Sequence, residues 1–152
     1  MGRTLSAIHA YIFQDVYAWA GKMRTVDISR PGSFFARASF IESAGRKLGA
    51  DLAQENRLRG LEKPEFVARL ALYYSEWNAV HPFREGNGRA TRELLRLIAL
   101  QAGYLLDQTR IDNREGQWQQ AARQSFHGDL EPVKRIFDDA LVADLRARKH
   151  AS

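Results

Sequence analysis

The chain has 152 residues, 45% apolar and 27% charged, the balance of an ordinary globular protein with one sizeable core. It has no cysteine, which excludes disulfides and thiolate metal sites and fits a reducing cytoplasm; no apolar run reaches the roughly 18 residues of a membrane span, and the N-terminus lacks the apolar core of a signal peptide. Net charge is +5, from 23 Lys+Arg against 18 Asp+Glu, but the charges are scattered and the densest run is Arg146, Arg148 and Lys149, so the excess does not outline a nucleic-acid face. Arginine, which dominates the cations, also grips phosphate with a planar fork.

In chain order the elements read as mostly helical. Leu5, Ile8, Ile12, Phe13 and Val16 mark one face of a first helix, expected to end near Trp19–Gly21. Between Met23 and Phe35 the helical period breaks. Val26 and Ile28 alternate with polar neighbours, and Arg30-Pro31-Gly32-Ser33 is a turn cluster, so a short hairpin is expected. Ser39 followed by Glu42 has the form of a capping box opening a helix to about Gln54. After a loop over 56–63, Pro64 fits the first turn of a helix with Phe66, Val67, Leu70, Ala71, Tyr74, Trp77 and Asn78 on its stripe. Pro82 ends that helix near Val80.

Residues 81–88 form a glycine-bearing loop. From Arg89 an apolar run through Leu94, Leu95, Leu97, Ile98 and Leu100 predicts a buried central helix, closed by Gly103. Asp112 with Glu115 resembles a further capped start. A last helix begins near Leu130, with Val133, Ile136, Phe137 and Leu141 on one face. About six helices and one hairpin predict an all-α bundle with a β flap, one domain over residues 1–152.

The chemistry concentrates in His81-Pro82-Phe83-Arg84-Glu85-Gly86-Asn87-Gly88-Arg89-Ala90-Thr91-Arg92. A loop of Gly, Asn and Gly opening straight into a helix offers main-chain N–H groups and the positive end of a helix dipole to an anion. Glycines let a phosphate approach the backbone. Arg89 and Arg92 share a helix face at that end. Glu85 is an oxygen ligand suited to Mg²⁺, and His81 can accept a proton near neutral pH. Together these make a phosphoryl- or nucleotidyl-transfer site, though not a P-loop. His9, His127 and His150 have no partners at metal spacing and read as surface or core residues. Trp19, Trp77 and Trp118 read as packing.

The twelve residues match every specified position of the Fic-domain motif, His-x-Phe-x-(Asp/Glu)-Gly-Asn-(Gly/Lys)-Arg-x-x-Arg. Around it, 13–21, Arg24 to Ile28, Glu76 to Val80 and Gln101 to Tyr104 also resemble the family, over roughly residues 4–141. The resemblance implies a Fic-type bundle that moves AMP from ATP, with Mg²⁺, onto a Tyr, Ser or Thr hydroxyl of another protein. His81 would be the general base, Phe83 the core anchor and Glu85 the Mg²⁺ ligand. Gly86, Asn87 and Gly88 would cradle the α- and β-phosphates. Arg89 would meet the β-phosphate and Arg92 the γ-phosphate. Ser33, Phe34, Phe35, Ala36 and Arg37 would form the flap that aligns the target strand-like, within a flap region of about 23–37. Trp118, Ala121 and Ala122 would lie on the helix walling the adenine pocket.

Gly88 rather than lysine favours AMP transfer over phosphorylation, while UTP or a choline nucleotide remain open as donors. The family's inhibitory helix carries (Ser/Thr)-x-x-x-Glu-(Gly/Asn). Here Glu55-Asn56 follows Asp51, Glu85-Gly86 follows His81 and Glu115-Gly116 follows Ile111, so none completes it. Glu115 is at most a degenerate copy, and nothing in the chain is expected to occupy Arg92. The compact length and the flap composition resemble the bacterial FicT toxins, which implies a cytoplasmic toxin acting on DNA gyrase or topoisomerase IV and a small antitoxin supplying the glutamate. Those toxins have residues before the first helix that this chain lacks, as a trimmed or short form would. A decayed Fic fold serving as a binding module is the alternative, against which His81, Glu85 and Arg92 stand intact.

Overall fold

The computed structural model describes residues 2–113 and 115–146. Arg148, Lys149 and His150 lie outside the described residues, as does the side chain of Glu115.

Seven α-helices form the described part: α1 (Gly2–Phe13), α2 (Ile41–Gln54), α3 (Lys63–Val80), α4 (Asn87–Gln101), α5 (Gln108–Asp112), α6 (Glu115–Phe126) and α7 (Glu131–Ala140). Two small antiparallel ladders complete it. Strands β1 (Ser29–Arg30) and β2 (Ser33–Phe34) pair Ser29 with Phe34 and Arg30 with Ser33. Strands β3 (Tyr104–Leu106) and β4 (Leu141–Ala143) pair Leu105 with Val142. The all-α bundle with a hairpin flap is therefore the observed fold, with one more helix and one more ladder than expected.

The core is built on α3. Phe66, Val67, Leu70, Ala71, Tyr74 and Trp77 are buried along it, against Leu94, Leu95 and Ile98 of α4 and Val133, Ile136 and Phe137 of α7. Removing such side chains from water at about 1.5–3 kcal/mol each is what offsets the ordering of the chain. Helix α4 is amphipathic, not buried all round: Leu97 lines a cavity and Leu100 is exposed.

Five local expectations are corrected. Helix α1 stops at Phe13, well before Trp19–Gly21, and passes into a turn in which the Phe13 carbonyl accepts from both Val16 and Tyr17. Its buried stripe is Leu5, His9 and Phe13, and Val16 is exposed. The hairpin is shorter than its alternation suggested. The Val26 carbonyl accepts from Arg24 and the Asp27 carboxylate from the Ala38 N–H, and residues 26–28 lie outside the ladder. Pro31-Gly32 makes the turn, with Gly32 at φ 78 as a type II turn requires. The Ser39–Glu42 capping box does not form: Ser39 lies in a 3₁₀ turn (Ala38–Phe40), Phe40 precedes α2 without a side-chain cap, and Glu42 pairs with Arg46. Asp112 is the last residue of α5, whose own cap is Asp107, accepting from Thr109 N–H. Leu141 leaves the last helix to open β4, whose partner lies far back in the chain beyond Gly103 (φ 87).

Candidate active site

The motif loop spans the gap between the C-terminus of α3 and the N-terminus of α4, and its ends are fixed by hydrogen bonds that the motif residues make among themselves. Asn87 is buried. Its side-chain oxygen accepts from Phe83 N–H at 2.8 Å and its amide donates to the Phe83 carbonyl at 2.7 Å. Both ends of that side chain therefore hold the loop. Phe83 is fully buried and stacks on His9, ring centroids 3.9 Å apart. His9 is a core histidine: its Nδ1 accepts from Gly21 N–H at 2.9 Å, which leaves Nε2 to donate to the Glu85 carbonyl at 2.9 Å. The spacing Leu5, His9, Phe13 along one helix face was the signal for that burial.

Gly86 stands before α4 at φ 80. A Cβ there would lie 2.4 Å from a Phe13 ring carbon, so conformation and space both demand glycine. Gly88 differs. It is helical, and a Cβ there would meet nothing within 4 Å. The fold places no demand for glycine at 88, and the room above it is available to a ligand. The first N–H groups of α4 have no partner within the helix and face outward with the positive end of its dipole.

His81 caps α3 in the left-handed region (φ 50, ψ 65) and is 5% exposed. Phe35 stacks on its ring at 3.9 Å. Arg30 lies over Phe35 and its Nη2 stands 3.4 Å from His81 Nε2, a long donor contact that leaves Nε2 as the lone-pair nitrogen. Nδ1 is buried and lacks a full hydrogen bond, although the Asn78 carbonyl is near enough to favour the charged ring. Burial first, and then the positive charge of Arg30, push the His81 pKa down to about 4. The ring is neutral at physiological pH.

A cavity of about 540 Å³ opens over His81, Asn87 and Gly88. Arg30, Ser33 and Phe35 bound it on the hairpin side, and Tyr74, Asn78, Trp118, Ala122 and Arg123 on the other. Trp118 and Ala122 thus face it as expected; Ala121 does not, being packed in the core. Asn78 ties the wall together by donating to the Ala122 carbonyl at 3.1 Å.

The two motif arginines line a different cavity, of about 600 Å³, between α1 and α4, with Ile8, Tyr11, Ile12 and Leu97. Arg89 is exposed over the Phe13 ring. Arg92 lies over Trp118 and donates from Nη1 to Asp112 at 2.6 Å. A carboxylate of this chain does occupy Arg92, contrary to the expectation from its glutamates. That expectation weighed glutamates alone and read Asp112 as a cap. Glu85 is exposed and accepts from the Tyr17 hydroxyl at 2.8 Å. Among the described residues no group of three or more acidic, His or Cys side chains could cage a metal. Glu85 alone fits a Mg²⁺ that arrives already held by phosphates.

In the hairpin, Phe34 is 84% exposed. Ala36 donates to the Ala79 carbonyl at 3.0 Å, and Arg37 leads into the 3₁₀ turn in an extended conformation. Only Ser33 and Phe34 of the five flap residues are in a ladder. Arg24 and Arg30 were missed as site residues. Arg24 is buried in irregular chain, where no periodicity flags burial, and Arg30 is an exposed residue of a two-residue strand.

Comparison with known proteins bears on the whole of this geometry. The chain is 44% identical over 132 residues to the protein adenylyltransferase VbhT of Bartonella schoenbuchensis, covering 87% of this chain and 27% of that protein. It is 42% identical over 133 residues to the "Probable protein adenylyltransferase Fic" of Escherichia coli, covering 88% of this chain and 66% of that one. The chain thus spans a quarter to two thirds of the length of these relatives. Among solved structures, the N-terminal Fic domain of a VirB-translocated Bep effector from Bartonella quintana, with bound ADP, superposes with a TM-score of 0.91 at 27% identity, covering 97% of this chain and 76% of that one. BepC from Bartonella tribocorum, with bound AMPPNP, gives 0.85 at 28% identity, covering 93% and 74%. The Fic/DOC family model matches residues 3–99, which include the entire loop from His81 to Arg92, and the chain belongs to that family.

Proposed function

We propose that this chain transfers AMP from ATP to a hydroxyl side chain of another protein. The observation that carries the reading is His81. Its neutral ring presents an acceptor nitrogen to a cavity whose floor is the N-terminus of α4. A base and an anion cradle on one wall are what nucleotidyl transfer to a hydroxyl requires. The names of the relatives, and the adenine nucleotides in the two solved structures, support the same donor.

In this reading His81 Nε2 takes the proton of a Tyr, Ser or Thr hydroxyl. The oxygen attacks the α-phosphorus of ATP, the new O–P bond forms, and the bond to the β-phosphate bridging oxygen breaks. Pyrophosphate leaves. The main-chain N–H groups of Gly86, Asn87 and Gly88 hold the α- and β-phosphates, Arg89 takes the β-phosphate and Arg92 the γ-phosphate. Glu85 would hold Mg²⁺, which would neutralise phosphate charge when bound. The hairpin from Ser33 to Arg37 receives the target by main-chain pairing at the short β2 edge. DNA gyrase and topoisomerase IV are the targets on the FicT resemblance alone. Arg30 must leave Nε2 for the hydroxyl to reach it.

A separate antitoxin restrains the enzyme in the same reading. The apolar groove of Ile8, Tyr11, Ile12 and Leu97 ends at Arg89 and Arg92, which suits an amphipathic helix bearing a glutamate. That glutamate would take over Arg92 from Asp112. Changing it to glycine in the partner should restore transfer while the complex still forms.

The direct test is incubation with Mg²⁺, ATP and a bacterial lysate. Label on the α-phosphate is expected to pass to a protein band, and label on the γ-phosphate is not. Transfer of γ label would establish a kinase instead, and transfer of neither a binding module.

A further inference from the structure

Arg24, in the segment between α1 and β1, is 4% exposed. Its guanidinium meets main-chain carbonyls from two separate regions. Nε donates to His81 at 2.8 Å and Nη2 to Val80 at 3.0 Å, both at the C-terminus of α3. Nη1 donates to Val26 at 2.7 Å and Nη2 also to Ala36 at 2.5 Å, on the two sides of the hairpin. Two main-chain bonds run beside it: Arg24 N–H to the Pro82 carbonyl and Ala36 N–H to the Ala79 carbonyl.

The last carbonyls of a helix lack partners within it and carry the negative end of its dipole, so a buried cation is well placed there. The C-terminus of α3 needs such a partner more than most. It ends on His81 at φ 50, a left-handed conformation that a residue with a Cβ adopts only when its surroundings hold it. Arginine is suited to this where lysine is not. Its rigid fork has five donors and can reach four carbonyls in different directions, whereas an ammonium offers three from one point. Burial lowers the Arg24 pKa and Asp27 opposes that shift. The Arg24 charge also adds a little to the depression of the His81 pKa.

We infer that Arg24 is a positioning residue: its guanidinium fixes the left-handed backbone of His81 and, through the same atoms, the root of the flap, so that base and target-aligning strand keep one registration. It touches neither nucleotide nor target. The inference rests on His81 being the base.

The test compares wild type with Arg24→Lys and Arg24→Ala in three measurements: AMP transfer to target, binding of a non-hydrolysable ATP analogue with Mg²⁺, and amide exchange at Ala36 and His81. Misplacement of a reacting group costs on the order of 10²-fold in rate. Arg24→Lys should therefore lower kcat by roughly 10–100-fold and raise KM for the target. Exchange at both amides should quicken while analogue affinity stays within about twofold. Added guanidinium should recover part of the kcat of Arg24→Ala. Wild-type kcat with unchanged exchange in Arg24→Lys would overturn the inference. So would a fall in analogue affinity matching the fall in kcat, since that marks general support of the fold. If Arg24→Ala does not fold, Arg24→Lys carries the comparison. If the wild type transfers no AMP, the proposed activity fails, and the exchange data with NMR of the His81 ring still decide whether Arg24 fixes that residue.

Discussion

The motif loop and the hairpin flap face each other across one cavity, yet they are built on opposite principles. The loop from His81 to Gly88 is over-determined. Asn87 grips Phe83 twice, His9 holds the Glu85 carbonyl, and Phe83 is fully buried. The hairpin has two-residue strands, an exposed Phe34 and a turn glycine, Gly32, in open space. Where it is firmly held, at its root, the holding is done by Arg24 and Ala79 from elsewhere. A pre-organised loop suits chemistry that needs fixed donors, and a loosely built strand edge suits a surface that must accept another chain.

Replacing His81 probes the loop at its reacting atom. His81→Ala should lower AMP transfer by about 10²–10⁴-fold, the range for loss of a general base, with ATP binding nearly intact. Labelling at the wild-type rate would remove His81 from the mechanism and with it the reason for a rigid loop.

Two glycines with matching φ sharpen the contrast. Gly86→Ala should destabilise the protein by about 2–5 kcal/mol, combining left-handed strain with a Phe13 clash. Gly32→Ala in the flap, at φ 78 but in open space, should cost only about 1–2 kcal/mol. Gly88→Ala, strained by neither, should leave the denaturation midpoint unchanged and weaken nucleotide binding. Equal losses at 86 and 32 in urea titrations would erase the distinction between the regions.

Acid should loosen the loop. The unfolded His81 ring takes a proton near pH 6.5 and the folded one only near about 4, so between those values the unfolded chain binds more protons. The stability from this group is complete above 6.5 and is lost as pH falls towards 4, up to about 3 kcal/mol. His9, whose pKa burial also lowers, adds in the same direction. His81→Gln should flatten part of that slope. Arg30→Ala, by removing the second cause of the shift, should move the acid limb of transfer to higher pH. An acid limb already at 6.5 in the wild type would contradict the buried, neutral ring.

The smallest effect is expected at Arg92. Its bond to the exposed Asp112 should contribute under about 1 kcal/mol to stability. Asp112→Asn should nevertheless tighten ATP by a few-fold, because a carboxylate no longer competes with phosphate for the guanidinium, and leave ADP unchanged. Equal changes for both nucleotides by calorimetry would place the γ-phosphate elsewhere.

The sequence by itself determined the helical bundle, the span of α3 up to Val80, the turn at Pro31-Gly32 and the identity of the loop. Each rests on local physics: apolar period, proline and glycine geometry, or a twelve-residue string whose members contact one another. Tertiary structure decided what depends on residues far apart in the chain. The β3–β4 ladder joins segments on either side of α5, α6 and α7. The carboxylate on Arg92 comes from Asp112, which local spacing read as a helix cap. The carbonyls at the end of α3 are answered by Arg24, more than fifty residues earlier. Spacing along one element reports which face is buried, but not which distant donor meets an unpaired carbonyl. A buried cation in irregular chain has no period to betray it, and only the folded geometry supplies its partners.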